Sequence, residues 1–265
     1  MKKGRVAVRD PESGWIRLYP NEFFLLWTRL GLGEPPSVLG IRHVGRTAAA
    51  CRWHAEAADA ELSARDLGTM DYPARDLVQL LKILGESELR LDLHLAGERG
   101  EIRSFSAAGR QGAATAEVIG GEVRVGPVRE PMLVATMLDA LKPLPAAPGG
   151  PANVRVEDFH EACAEGERDG QAGFLGRLED SGVRGGEAGI LLRLLTRRTG
   201  GGQIGAGVRG RSGRWSRAGS VVNWVDTDEG RYALRTRGGW LTATPVDPLR
   251  LRVWAQDMVG ELVGQ

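Results

Sequence analysis

The chain has 265 residues, 42% of them apolar and 26% charged, which suits one large or two modest folded domains and excludes disorder throughout. Thirty-five Lys+Arg against 34 Asp+Glu leave a formal charge of +1, so neither a globally basic nucleic-acid binder nor an acid-rich tail protein is described. Only four of the cations are Lys, and the excess of Arg, Ala and Gly points to a high-GC bacterial coding sequence.

Cys51 and Cys163 stand in no CxxC or Cys/His spacing, which speaks against structural zinc; one disulfide is open, and the expectation is two buried free thiols. Lys2 and Lys3 are not followed by the apolar core of a signal peptide. No apolar run approaches the roughly 18 residues that span a bilayer. The expectation is a cytoplasmic protein without membrane insertion.

In chain order, Asn21 to Gly31 reads as a helix, with Asn21 as its N-cap and Gly31 as its stop. Ala- and Glu-rich residues 46–66 predict a second helix, and Leu77 to Leu84 a third. Leu89, Leu91, Leu93 and Leu95 then alternate with polar residues at the period of a half-buried strand. Short strands are expected at 101–106, 114–119 and 122–126, with Gly120-Gly121 as a hairpin turn. Pro131 opens a helix with Leu133, Met137, Leu138 and Leu141 on one stripe. Residues 143–151, rich in Pro and Gly, read as a linker.

The same order then recurs. Helices are expected at 156–166, 174–181 and 189–197, and strands at 203–208, 214–218, 221–226, 231–236 and 240–244. A helix from Asp247-Pro248 closes the chain. Leu80 to Leu84 parallels Leu191 to Leu195, Gly121 to Val128 parallels Gly239 to Val246, and Glu22-Phe23 faces Asp158-Phe159. The reading is an α+β fold of two pseudo-symmetric halves, residues 1–145 and 152–265, sharing a central antiparallel sheet flanked by helices.

A search for an active site returns little. His43, His54, His94 and His160 sit in no metal-binding or catalytic spacing. Gly205 to Gly210 spells GxGxxG, but strand-like sequence follows where a dinucleotide site needs a helix. No P-loop or GxSxG is present. No catalytic residue, cofactor or metal is expected.

One run is less bland. From Ala188 to Val225 there are seven Arg and no acid, with Trp215 and Trp224 interleaved. This suits a solvated face balanced by Asp226, Asp228 and Glu229, a protein interface, or phosphate contacts to nucleic acid. Arg214 and Arg217 are the safer interface candidates, because a charged head is rarely buried without a partner. Trp215, Val222 and Trp224 join them, although alternation leaves open which face of the 221–225 strand is core.

Leu30 to Pro36 (LGLGEPP), Asp226 to Tyr232 (DTDEGRY) and Gly239 to Pro245 (GWLTATP), followed by a closing amphipathic helix, resemble the EspG family. The family comprises cytoplasmic chaperones of actinobacterial type VII (ESX) secretion. The resemblance implies helical bundles around a central antiparallel sheet, and non-covalent binding of PE/PPE-like substrates in place of catalysis. The loop Gly109 to Gly112 is shorter than the family's corresponding loop, and its Arg110 and Gln111 are carried as partner contacts. The expected partner is a PE/PPE-like pair or a simpler homologue, with a homodimer also open. The alternative is a nucleic-acid-binding module that uses the arginines of 188–225.

Overall fold

The structure is a computed structural model that describes residues 8–45, 47–98 and 100–264. It divides into two compact units. The first comprises residues up to 94, 101–139 and 206–217, and the second 95–100, 140–205 and 218 onward.

In the first unit, strand β1 (Ile16–Leu18) leads into helix α1 (Pro20–Arg29). The helix starts ahead of the expected Asn21 because Glu22 reaches back to cap it. The Glu22 carboxylate accepts from the Tyr19 backbone N–H at 2.8 Å and is itself fully buried, paired with Arg65. Phe23 and Trp27 stack at 5.3 Å one turn apart and fill the core. Gly31, at φ +67°, ends the helix as expected. Helix α2 (Ala48–Ser63), capped by the Thr47 hydroxyl, and α3 (Arg75–Gly85) complete the layer. The expected helix start at Arg46 lies outside the described residues.

Strands β2 (Leu89–Gly97), β3 (Gly100–Gly109), β4 (Gly112–Ile119) and β5 (Glu122–Val128) follow, then a 3-10 turn and the short helix α4 (Leu133–Leu138). Their order is β1-β5-β4-β3-β2, with β1–β5, β5–β4 and β4–β3 paired antiparallel. Phe105, Ala107, Ala114, Ala116, Val123 and Val125 point from one sheet face into a core shared with the three helices.

The second unit repeats the order. Strand β6 (Ala152–Arg155) leads into α5 (Val156–Asp180), which is broken at Gly170 (φ +66°) into two antiparallel arms. The arms are closed by a Phe159–Phe174 edge contact at 6.0 Å and by Arg177 with Asp158 and Glu161. Helix α6 (Gly185–Thr196) is followed in the chain by β7 (Arg198–Arg209), β8 (Trp215–Arg217), β9 (Val222–Thr227), β10 (Gly230–Arg237), β11 (Trp240–Pro245) and α7 (Pro248–Val263), of which β8 and residues 206–209 of β7 belong to the first unit. The order is β7-β9-β10-β11-β6. Strands β2 and β7 neighbour one another and each contributes residues to both units, giving a large antiparallel sheet with seven α-helices among the described residues.

The repeat is exact in several details. Gly120-Gly121 (φ +59°, +84°) and Gly238-Gly239 (φ +56°, +78°) make the same two-residue hairpin turn, in which both residues need positive φ. β1 pairs with β5 as β6 pairs with β11. Glu22–Arg65 in the first unit is mirrored by Asp158–Arg177 in the second: Arg65, just beyond the end of α2, reaches back to α1, and Arg177, on the second arm of α5, reaches back to the first.

The Pro/Gly segment is no loose tether. Arg231, fully buried, forms a bidentate pair with Asp226 at 2.6 and 3.1 Å and donates to the Lys142 carbonyl at 3.0 Å. The Arg231 backbone takes Pro145 and Ala147 as partners, and the Tyr232 hydroxyl donates to the Pro148 carbonyl at 2.8 Å. The GxGxxG run lies on β7 up to Arg209, with only its last glycine beyond the strand, and forms no nucleotide loop. Its neighbourhood needs glycine for close approach, since a Cβ on Gly201 would sit 2.5 Å from the Trp224 carbonyl oxygen.

Candidate partner-binding surface

Residues 86–92 of the first unit join α3 to β2 and organise a polar surface. The Glu88 N–H donates to the Ala108 carbonyl, and the Glu88 carbonyl accepts from the Arg209 N–H at 2.7 Å. This segment is thereby laced to the ends of β3 and β7. The β3–β4 hairpin tip is fastened to it as well: Arg110 Nε lies 3.2 Å from Glu88, and Gln111 Nε2 donates to Glu86 at 3.1 Å. Between them lies a small cleft of about 120 Å³ that Lys82 and Ile83 also line.

Beside this tip, β8 pairs with the end of β7, setting Trp215 opposite Arg209 and Arg217 opposite Gly207. The Arg90 guanidinium stacks 3.9 Å from the Trp215 ring centre, with Phe105 farther off at 5.8 Å. Arg90 is also held by hydrogen bonds to the Ser87 hydroxyl and the Gly85 carbonyl at the end of α3. Burial, and then the nearby Arg209, draw Arg90 below the ordinary guanidinium value. Trp215 stays 36% exposed, so one ring face is packed by a cation and the rest is free to meet a partner.

Arg217 donates to Asp92 at 2.6 Å, whereas Arg211 and Arg214 form no ion pair among the described residues. Trp215, Arg217, Arg110 and Gln111 are thus all exposed and all gathered around residues 86–92, and Arg214, also exposed, precedes Trp215 in the chain. Val222 and Trp224 are not among them. They are 8% and 2% exposed, because the strand β9 that carries them is covered on both faces, with Val225 buried as well. Neither side chain is presented to a partner.

The acid-free run is also less cationic in space than in sequence. Arg197 pairs with Asp228 and Glu229, and Arg193 reaches Glu229 at 4.0 Å. This is the balance by the 226–229 acids that the solvated-face reading expects. Sequence reasoning missed Arg90, Glu86, Glu88 and Asp92. Alternation places Arg90 and Asp92 on the polar face of β2, but it cannot say that they meet Trp215 and Arg217, more than 120 residues away. Among the described residues there is no group of His, Cys, Asp and Glu able to hold a metal ion, and no helix long and apolar enough to cross a membrane.

No curated protein sequence is matched by the chain. Among solved structures, it is similar to the Mycobacterium tuberculosis type VII secretion system chaperone EspG5, solved in complex with the PE25-PPE41 dimer. The TM-score is 0.74 at 18% identity, covering 94% of this chain and 96% of that one, which shows a shared fold over the full length. A model of the EspG family matches residues 19–257, from the cap of α1 to the middle of α7, and the chain belongs to that family.

Proposed function

We propose that this protein is a cytoplasmic chaperone of type VII secretion that binds a PE/PPE-like pair non-covalently, keeps it soluble and directs it to export. The observation that carries the reading is family membership over residues 19–257, together with a full-length fold match to a chaperone solved with its PE-PPE client. Binding in place of catalysis accords with what the exposed surface offers. It presents a stacked Trp, unpaired Arg heads and a polar hairpin tip, the residue types that concentrate binding energy at interfaces. We read residues 1–145 and 152–265 as the two halves of the repeat, with the β7–β8 hairpin of the second contributing the client-facing side chains.

The test is co-expression with a PE/PPE-like pair, followed by affinity capture. Arg214→Glu is the informative variant, because Arg214 has no ion pair to lose, whereas Arg217→Glu would also set two acids together at Asp92. Arg214→Glu and Trp215→Ala should each cut client recovery at least about tenfold, the scale of an interface hot spot. Both should leave the melting temperature within a few degrees. Full recovery with both variants moves the interface elsewhere on the molecule. Failure of the unaltered protein to capture any such pair overturns the function itself.

A further inference from the structure

Pairing across β3, β4, β5 and β1 aligns Ser104, Glu117, Arg124 and Arg17 in a single row. Their chain neighbours Phe105, Ala116, Val123, Val125, Ile16 and Leu18 belong to the first unit's core, so the row lies on the sheet's opposite face. Arg17 and Arg124 are direct cross-strand partners, an arrangement of like charges that weakens a sheet unless something neutralises it. The acids at hand do so poorly. Arg17 reaches Glu122 only at 3.6 Å, and burial pushes the Glu117 carboxyl up, against the opposing pull of the Ser104 hydroxyl and Arg124. Arg124 Nε is buried without a hydrogen-bond partner.

The repeat supplies an internal comparison. The equivalent row of the second unit reads Arg235, Thr242 and Asn153. There the Thr242 hydroxyl donates to the Asn153 side-chain carbonyl at 2.8 Å, and Arg235 stacks 5.5 Å from the Trp254 ring centre. That row is satisfied within its own unit, by its members and by Trp254 of α7. Its counterpart in the first unit replaces the neutral pair with two guanidinium groups.

An open cleft of about 480 Å³ lies in front of those groups and of Glu117, walled also by Trp15, Ser13, Pro11 and Asp10. Its volume falls within the usual range of small-ligand sites. Trp15 lies flat against β5, because Gly126 beneath it has no side chain; a Cβ there would sit 2.5 Å from the indole. The Asp10 carboxylate accepts from the Ser13 hydroxyl at 2.6 Å and from the backbone N–H of Glu12 and Ser13, which keeps it ionised at the rim. One fixed negative charge at the mouth disfavours a polyanion and leaves room for a single one.

We infer that this cleft binds a monocarboxylate with a flat apolar body, its carboxylate held by Arg17 and Arg124 and its body laid on Trp15. Fork-shaped guanidinium groups suit a carboxylate, and the bound anion removes the repulsion between them.

The experiment titrates the full chain with sodium benzoate and with neutral benzamide, following the Trp15 indole N–H by NMR, its signal assigned through Trp15→Phe. Benzoate should shift it saturably, and benzamide should bind at least about tenfold more weakly, the value of one charge-assisted contact. Arg124→Gln should lower benzoate affinity by a similar factor while keeping or raising the melting temperature of the free protein, since the clash with Arg17 is gone. Arg17→Gln provides the same test should the first variant fold poorly. A peptide ending in phenylalanine, offered as the acid and as the amide, separates the sources. Competition by the acid alone places a chain terminus in the cleft, and benzoate binding without such competition assigns a free small carboxylate. No saturable shift, an equal response to benzamide, or unchanged affinity in both arginine variants overturns the proposal.

Discussion

Removing the carboxylate of Asp226 isolates the energetic role of the Arg231 clamp. Arg231 is fully buried and Asp226 only 14% exposed, so the pair is beyond effective screening by solvent. Asp226→Ala leaves the guanidinium with the Lys142 carbonyl as its remaining acceptor among the described residues, where Arg231 Nη1 already lacks one. An uncompensated buried charge of this kind costs about 3–5 kcal/mol. At about 2–4 °C per kcal/mol for a chain of this size, the melting temperature should fall by roughly 6–20 °C. The double replacement Asp226→Leu with Arg231→Met should recover most of that loss, because it removes the charge together with its partner. Calorimetry of the three proteins at one ionic strength measures both quantities, and limited proteolysis within residues 143–150 reports whether the Pro/Gly segment has come away. A fall of less than about 2 °C for Asp226→Ala, or a double variant worse than the single one, would refute the reasoning.

Two further predictions concern the first unit and the repeat. Burial raises the Glu117 carboxyl above its unfolded value, so between the ordinary carboxylate range and that raised value the folded state holds a proton that the unfolded state has lost. Stability therefore falls as pH rises through this window, and Glu117→Gln should melt progressively higher than the parent as the pH rises through it; a constant difference would contradict the sign. Gly121→Ala and Gly239→Ala occupy the same left-handed position of equivalent turns, at φ +84° and +78°, with nothing within 4 Å of an added Cβ. Each should cost about 1 kcal/mol, equally and additively, in denaturant titrations.

The parts of this fold that could be read from the sequence are those whose information is local. The leucine stripe of α3, the alternation of β2 and the paired glycines of the two hairpins each carry their signal within a dozen residues. β1 and β6, three and four residues long, show no period. They are strands because β5 and β11 offer edges that they pair with. The Pro/Gly segment reads as a tether because its anchor, the Arg231–Asp226 pair, lies more than 80 residues away. Trp224 could not be assigned by alternation because β9 is covered on both faces, so its pattern has no polar side to point with. The acid-free arginine run misleads for a related reason. Charge sign along a chain is no guide to charge in space when Asp92, Asp228 and Glu229 supply the acids from outside the run.

What sequence could do was establish that the chain repeats itself, and the structure turns that repeat into a measuring device. Where the halves agree, as in the glycine turns, the edge strands and the acid–arginine ties between helices, the residues serve the common architecture. Where they disagree, architecture is not the reason. β8 is inserted between β7 and β9, with Trp215 on it and Arg214, which forms no ion pair among the described residues, just ahead of it, whereas only two residues separate β2 from β3. Likewise the row that closes neutrally at Thr242 and Asn153 opens into facing cations at Arg124 and Arg17. Both departures put unsatisfied charge or an exposed aromatic where the other half is self-sufficient. A fold sacrifices stability at such positions, which is why the client surface and the carboxylate cleft are sought there and not in the shared frame.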